Sequence, residues 1–390
     1  MKNILLLIII IAAPLLSNAQ LKKQVWDGKK NYGFFNTVEF HSAHGMFLKN
    51  SNQLDEIMDN PYSDFALRIG IQSHGKKLWE QILGYPIYGM GFYSAYFYDD
   101  DPLGAPAALY LFINAPIKRW NKFSIKWELA AGLSYGFNPQ DSIHNPENNV
   151  IGSKKNVYFH GKIIAEYRLN KRWDIGLGGG FNHFSNGSTQ TPNLGINLAG
   201  ITLNARYSFN PVKAYTKHID PKYQPQVRPD FIHRNIPKTK THHELSIYYA
   251  AGGKATTTIY INGPIYFISA LTADYHYKYY HIAKVGIGLD YFYEAALKDY
   301  QNLDNPSFND LTYTGIHLSH ILYFDKLALV FQPGIYLSNN VKHKDSYYLR
   351  VGGRYDITDR LYVQAALKTR NGAIADFIEW GLGYSIRVKR

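Results

Sequence analysis

The sequence predicts an all-β fold: a transmembrane antiparallel β-barrel, arranged as two eight-stranded units in tandem. Three observations predict it. Long segments alternate apolar and polar residues with period two, the mark of strands that face different surroundings on their two sides. After residue 20 no run of about 18 apolar residues occurs, so no helix can cross a bilayer. Tyrosine is abundant, 33 of 390 residues, as expected of a barrel whose aromatic girdles sit at both membrane interfaces while its lumen stays polar.

The N-terminus reads as an export signal. Lys2 supplies a positive charge, residues 4–16 form one apolar run, and Ser17-Asn18-Ala19 offers small residues at a cleavage site before Gln20. That run is too short, and wrongly flanked, to be a spanning helix. Residues 1–19 are therefore expected to be a signal peptide, and the mature chain to reach the bacterial outer membrane. The chain has no Cys, which excludes a lipid-anchored N-terminus, disulfides and thiolate metal sites. The formal net charge is +12. A basic chain commonly meets nucleic acid, but an exported one rarely does. The anionic partner expected outside the cell is phosphorylated lipopolysaccharide, although solvated basic surface accounts for such charge equally well.

Strand periodicity is cleanest over 123–136. Phe123, Ile125, Trp127, Leu129, Ala131, Leu133 and Tyr135 share one face, opposite Ser124, Lys126, Glu128, Ala130, Gly132, Ser134 and Gly136. This run exceeds the roughly 9–11 residues a tilted spanning strand needs. Residues 283–293, 346–355 and 377–388 repeat the pattern, with aromatic and aliphatic residues on one side and glycine or charge on the other. Lipid and a polar lumen would demand this pair of faces.

About eight such strands fit between 33 and 210, and about eight more between 242 and 388. Between them, 211–241 carries Pro211, Pro221, Pro225, Pro229 and Pro237 and reads as a basic linker. The expected organisation is a first barrel unit at 20–210, the linker at 211–241, and a second, degenerate unit at 242–390. Order within the halves suggests duplication. Gly89-Met90-Gly91-Phe92 resembles Gly286-Ile287-Gly288-Leu289. The stretch from Glu166 to Ile175 resembles that from Arg354 to Val363. Each half then reaches Asn-Gly, at 186–187 and 371–372. A single barrel of about 16 strands is the alternative. The long linker favours two.

One strand carries a chemical signal. Over 173–185, Trp173, Ile175, Leu177, Gly179, Phe181, His183 and Ser185 share a parity, while Asp174, Gly176, Gly178, Gly180 and Asn182 share the other. The second set suits the lumen, so His183 and Ser185 continue the lipid-facing stripe. With the N-terminus periplasmic, they lie at the outer-leaflet end of the seventh strand. A polar pair facing lipid is costly. Spaced i, i+2 they stand side by side, as a hydroxyl nucleophile and its base require.

Here the sequence resembles the outer-membrane lipid A 3-O-deacylases (PagL-like, or acyloxyacyl hydrolases), over roughly residues 30–210. The resemblance rests on His183-Phe184-Ser185-Asn186, then Pro192-Asn193 and Asn197 in the following segment. It implies an eight-stranded barrel that hydrolyses an acyl ester of lipid A without metal or other cofactor. Ser185 would be the nucleophile and His183 the general base. Asn193 would donate to the oxyanion, with a loop N–H such as that of Gly187, and Asn186 would hold the loop. The family's acid falls on Asn197, and no Asp or Glu occurs between 175 and 219. An Asn can orient a histidine but cannot stabilise the imidazolium by charge, and an Asp-to-Asn change in a serine triad costs on the order of 10⁴ in rate. Glu166 is the carboxylate that could stand in.

Anchored on Asn371-Gly372, the second half has Lys368 and Arg370 where the first has His183 and Ser185. That copy is expected to be structural, or a basic surface for phosphates. The pairs His41/His44 and His317/His320 have i, i+3 spacing. On strands this points them to opposite faces, so no metal site is expected. Two rival functions stay open at this stage: a catalytically silent barrel that binds lipopolysaccharide, and a passive pore. Oligomeric state is not legible.

Overall fold

A computed structural model describes residues 36–48, 59–98, 102–120, 122–170, 172–209, 235–256, 263–338, 346–372 and 374–388. The expected signal peptide and most of the expected linker lie outside these residues. The chain forms two compact units, each holding one barrel.

The first barrel consists of β1 (Asn36–Phe47), β2 (Pro61–Gln72), β3 (Ile87–Phe97), β4 (Gly104–Arg119), β5 (Phe123–Phe137), β6 (Asn156–Arg168), β7 (Trp173–Ser185) and β8 (Ile196–Ser208), with a short helix α1 (Leu78–Ile82) between β2 and β3. Each strand pairs antiparallel with the next, and β8 returns to pair with β1, from Thr37↔Ser208 to Phe47↔Leu198. The second barrel consists of β9 (His242–Ala255), β10 (Ile265–Tyr280), β11 (Ala283–Glu294), β12 (Thr312–Phe324), β13 (Leu327–Tyr336), β14 (Tyr347–Asp356), β15 (Leu361–Arg370) and β16 (Ile374–Val388). A helical turn α2 (Leu297–Tyr300) and a 3₁₀ turn (Phe308–Leu311) lie between β11 and β12. This barrel closes through β16 and β9, from Trp380↔Ala251 to Val388↔His243. Two separate closures rule out the single barrel of about 16 strands. The repeated sequences fall on strands of equal rank: Gly89 and Gly286 lie on the third strand of their barrels, Glu166 and Arg354 on the sixth.

Period-two alternation sorts each strand's side chains as expected. Leu109, Leu111, Leu133, Ile201 and Leu203 are more than half exposed on the outer wall of the first barrel. In water such a band would be unfavourable; against lipid tails it is the favourable surface. Among the described residues no helix is long and apolar enough to cross a membrane, so the strands alone provide the spanning surface.

The inward residues are charged, buried and paired. Arg68 bonds Glu128 at 2.6 Å and Glu39 at 3.2 Å. Arg206 reaches Asp174 at 2.8 Å and also bonds Glu166, which in turn holds Lys126. In the second barrel His317 sits between Asp274 (2.8 Å) and Asp290 (2.7 Å), and Arg350 joins Asp290 to Glu379. A buried charge is tolerable only with such partners. An eight-stranded lumen is just wide enough for its own side chains, and these fill it. The wide passive pore therefore has no structural counterpart in the described residues. Tight packing also explains some of the glycine: a Cβ on Gly91 would lie 2.4 Å from the Tyr110 ring.

Candidate active site

The site is built at one end of β7 and β8. Strand β7 runs over Trp173–Ser185, the span expected from parity, and Asp174 and Asn182 are buried while Trp173, Ile175 and Leu177 are exposed. His183 and Ser185 thus belong to the outward-facing set. They are not bare, however: Ser185 is only 3% exposed and His183 is half-buried.

Register supplies the partner. His183 lies directly opposite Asn197 on β8, and Val157 on β6 lies opposite Ser185. The His183 Nδ1 to Asn197 Oδ1 distance is 2.7 Å. An acceptor oxygen at that position keeps the proton on Nδ1, so Nε2 carries the free lone pair. The ring also stacks on Phe181, 6.4 Å away at 12°. Asn197 is thus the side chain that engages the His183 ring at Nδ1. Glu166 does not substitute for it. It points inward on β6, bonded to Lys126 and Arg206.

Among the described residues the Ser185 hydroxyl makes no hydrogen bond, to His183 or to any other group. The side-by-side placement expected from i, i+2 spacing is present, but the nucleophile–base bond is not formed in this resting arrangement. Catalytic hydrogen bonds commonly tighten only when substrate is bound.

The segment after Ser185 has local order of its own. The Asn186 N–H donates to Asn193 Oδ1 at 3.0 Å, and the Asn186 carbonyl accepts from the Thr189 hydroxyl at 2.9 Å. Asn186 Oδ1 accepts the Gln190 N–H at 3.4 Å. Asn186 thus bonds three other residues of this segment. With its oxygen engaged, Asn193 is left with a buried Nδ2 that has no hydrogen-bond partner among the described residues. An unpaired buried amide N–H₂ costs about 1–3 kcal/mol unless a ligand atom satisfies it. Gly187 has φ +64°.

Gly195 escaped the sequence reading, its only signal being a glycine close before Asn197. Its φ is +75°. A Cβ built there would lie 3.1 Å from His183 Cε1, 3.2 Å from the Phe184 carbonyl oxygen and 3.6 Å from Ser185 Cβ. The backbone at Gly195 therefore lies against both members of the pair, and only glycine leaves that space open.

The equivalent end of the second barrel is different. Lys368 faces inward and is fully buried, bonded to Asp376 at 2.7 Å and to the Tyr336 hydroxyl at 2.6 Å. The rings of Phe292, Tyr313, Tyr348 and Phe377 surround its ammonium at 4.9–5.7 Å. Lys368 is thus a structural group of the lumen and not part of a phosphate-binding surface. His41 and His317 are buried inward while His44 and His320 take the other parity. The described residues contain no group of three or more metal-ligating side chains arranged to hold an ion.

Comparison with known families decides the affiliation. Residues 65–206 match the model for lipid A 3-O-deacylase (PagL), and residues 243–388 match that for the acyloxyacyl hydrolase C-terminal domain. The chain belongs to the PagL-like family. It is accordingly an outer-membrane enzyme that hydrolyses esters. Its second half, in which sequence reading found only a barrel pattern, has a family model of its own. No curated protein sequence matches the chain. Among solved structures it is similar to the outer-membrane enzyme PagL, with 14% identity, a TM-score of 0.29, and coverage of 43% of this chain and 97% of that one. It is also similar to an outer-membrane channel from Pseudomonas putida F1 (10% identity, TM-score 0.19, 94% of this chain and 100% of that one). A third is the Pseudomonas putida toluene transporter TodX (8%, 0.18, 96% and 97%).

Proposed function

We propose that this PagL-like protein removes an ester-linked 3-hydroxyacyl chain from lipid A in the outer leaflet, with Ser185 as nucleophile and His183 as base. The observation that carries this reading is the cross-strand bond from His183 Nδ1 to Asn197 Oδ1, which leaves Nε2 free on the face that Ser185 shares. Ser185 Oγ attacks the ester carbonyl while Nε2 takes its proton. The oxyanion is stabilised by the unpartnered Asn193 Nδ2 and a loop N–H such as that of Gly187. Collapse breaks the bond to the sugar oxygen, which leaves with the proton from Nε2. Water then enters, gives its proton to Nε2 and attacks the acyl-serine. Ser185 recovers a proton as the 3-hydroxy fatty acid departs.

Asn197 orients the imidazole but adds no negative charge, so the rate is expected to be well below that of a carboxylate-assisted site. Export by a cleavable signal at 1–19 belongs to the same reading. The test is expression in a Gram-negative host, with lipid A examined by mass spectrometry beside Ser185→Ala. Loss of one hydroxyacyl chain with the unmodified protein, absent with Ser185→Ala, is the expected outcome. Unchanged lipid A with the protein folded in the outer membrane would favour a barrel that binds lipopolysaccharide without cleaving it.

A further inference from the structure

The segment between β5 and β6 contains a fully buried polar side chain that the proposed chemistry does not use. Asn148 is 0% exposed. Its Nδ2 donates to the carbonyls of Asn138 (2.7 Å) and Pro102 (3.0 Å). Its Oδ1 accepts the N–H groups of Val150 (3.0 Å) and Ile151 (3.2 Å). One amide therefore joins three stretches of backbone. Asn145 reinforces it, donating to Pro102 at 2.9 Å and Pro139 at 3.2 Å. The Asn138 N–H reaches Leu103, and the Gln140 N–H reaches Ile151.

A backbone bond leads from this knot toward the candidate site. With its N–H held by Asn148, Val150 turns its carbonyl to the N–H of Leu194, at 2.9 Å. Leu194 follows Asn193 directly and precedes Gly195, whose backbone lies against His183 and Ser185. The Leu194 side chain is 44% exposed, whereas Val150, Ile151 and Ile196 are fully buried. Leu194 is thus held through its backbone, and its anchor is an oxygen whose direction Asn148 fixes.

We propose that Asn148 is a positioning residue for this hydrolase, holding the Leu194–Gly195 backbone over the His183–Ser185 pair through the Val150 carbonyl. The proposal rests on the Ser185 reading above. Asn148 touches no reacting atom. Its effect is on the placement of the Gly195 backbone against the His183 ring and Ser185, so it acts on turnover and not on substrate affinity. Misplacement by about 1 Å can cost on the order of 100-fold in rate.

The experiment uses the full chain, folded in detergent, with a soluble 3-hydroxyacyl ester as probe and Ser185→Ala as reference. Asn148→Ala is expected to lower kcat by about tenfold to 100-fold with KM changed by less than about twofold. Heat-dependent mobility of the barrel on a gel should stay normal. Leu194→Pro removes the N–H donor without touching the β5–β6 segment, and should reproduce the loss if Asn148→Ala fails to fold. Activity that disappears in Ser185→Ala but stays at full kcat in a folded Asn148→Ala or Leu194→Pro variant overturns the positioning role alone. A rise in KM at constant kcat overturns it as well, by making the segment a substrate contact. Activity that survives Ser185→Ala overturns both the nucleophile and this role.

Discussion

The end of β7 and the end of β15 hold the same place in their barrels, each the seventh strand, and each leads into Asn-Gly. Beyond that dipeptide the two connections diverge. In the second barrel, Asn371 (φ 53°) and Gly372 (φ 67°) make a short turn, with Arg370 already paired to Ile374. In the first, Asn186-Gly187 opens a loop that regains the sheet only at Ile196. The short turn leaves no segment to lie over the strand end, and the preceding lysine serves the lumen. The long one returns with the Gly195 backbone against a histidine and a serine of the outward-facing set. A closed barrel supplies the wall in both cases. On the proposed function it is the connection that equips the wall for chemistry, as expected where function is placed on loops held by a rigid scaffold.

The sharpest way to break this comparison is to remove the base. His183→Ala should lower lipid A deacylation on the order of 10³-fold or more, seen by mass spectrometry, while the barrel still migrates as a folded species. Should His183→Ala stay active, the β7 end would be no more chemical than the β15 end. The next largest effect tests the loop. Gly195→Ala places a Cβ within 3.1 Å of the imidazole, at a φ that L-residues avoid. It should reduce kcat by about 100-fold, with KM for a soluble ester little changed.

Asn197→Asp runs the other way. A carboxylate at this position would stabilise the imidazolium as well as orient it, and kcat should rise by about tenfold or more. An unchanged kcat would mean that proton transfer to His183 does not limit turnover. The smallest effect on activity is expected in the second barrel. Lys368→Met leaves Asp376 without one of its cations and should lower barrel stability by about 3–5 kcal/mol, read as an earlier loss of heat-resistant mobility. Deacylation measured below that transition should be unaltered.

Much of this architecture was legible in the sequence because a strand repeats every two residues. Parity gave β7 its limits and put His183 and Ser185 outside, while Asn197 was singled out through the family resemblance and not through any expected strand register. The inward turn of Lys368 was not legible. Counting back from Asn-Gly presumes an identical path into the turn, whereas β15 shifts register between Lys368 and Thr369. Asn148 and Gly195 were hidden for a different reason. Both act through backbone groups, an amide collecting carbonyls and an absent Cβ, and neither leaves a periodic trace. Glu166 shows the converse. As a carboxylate near the motif it invited a catalytic role, but its parity assigned it to the lumen.

The placement of the His183–Ser185 pair on the outside of a sealed cylinder has a kinetic consequence. On the proposed function, with the lumen filled by its own paired side chains among the described residues, the substrate arrives sideways, by lateral diffusion within one leaflet. The concentration that governs its rate is a surface density, the fraction of lipid molecules around the wall that carry the cleavable ester. Diluting those molecules with inert lipid should slow the reaction at constant bulk concentration, while diluting the whole suspension should not. The freed acyl chain and the trimmed lipid are likewise delivered into the plane of the membrane, and their escape from the wall is set by the fluidity of that leaflet.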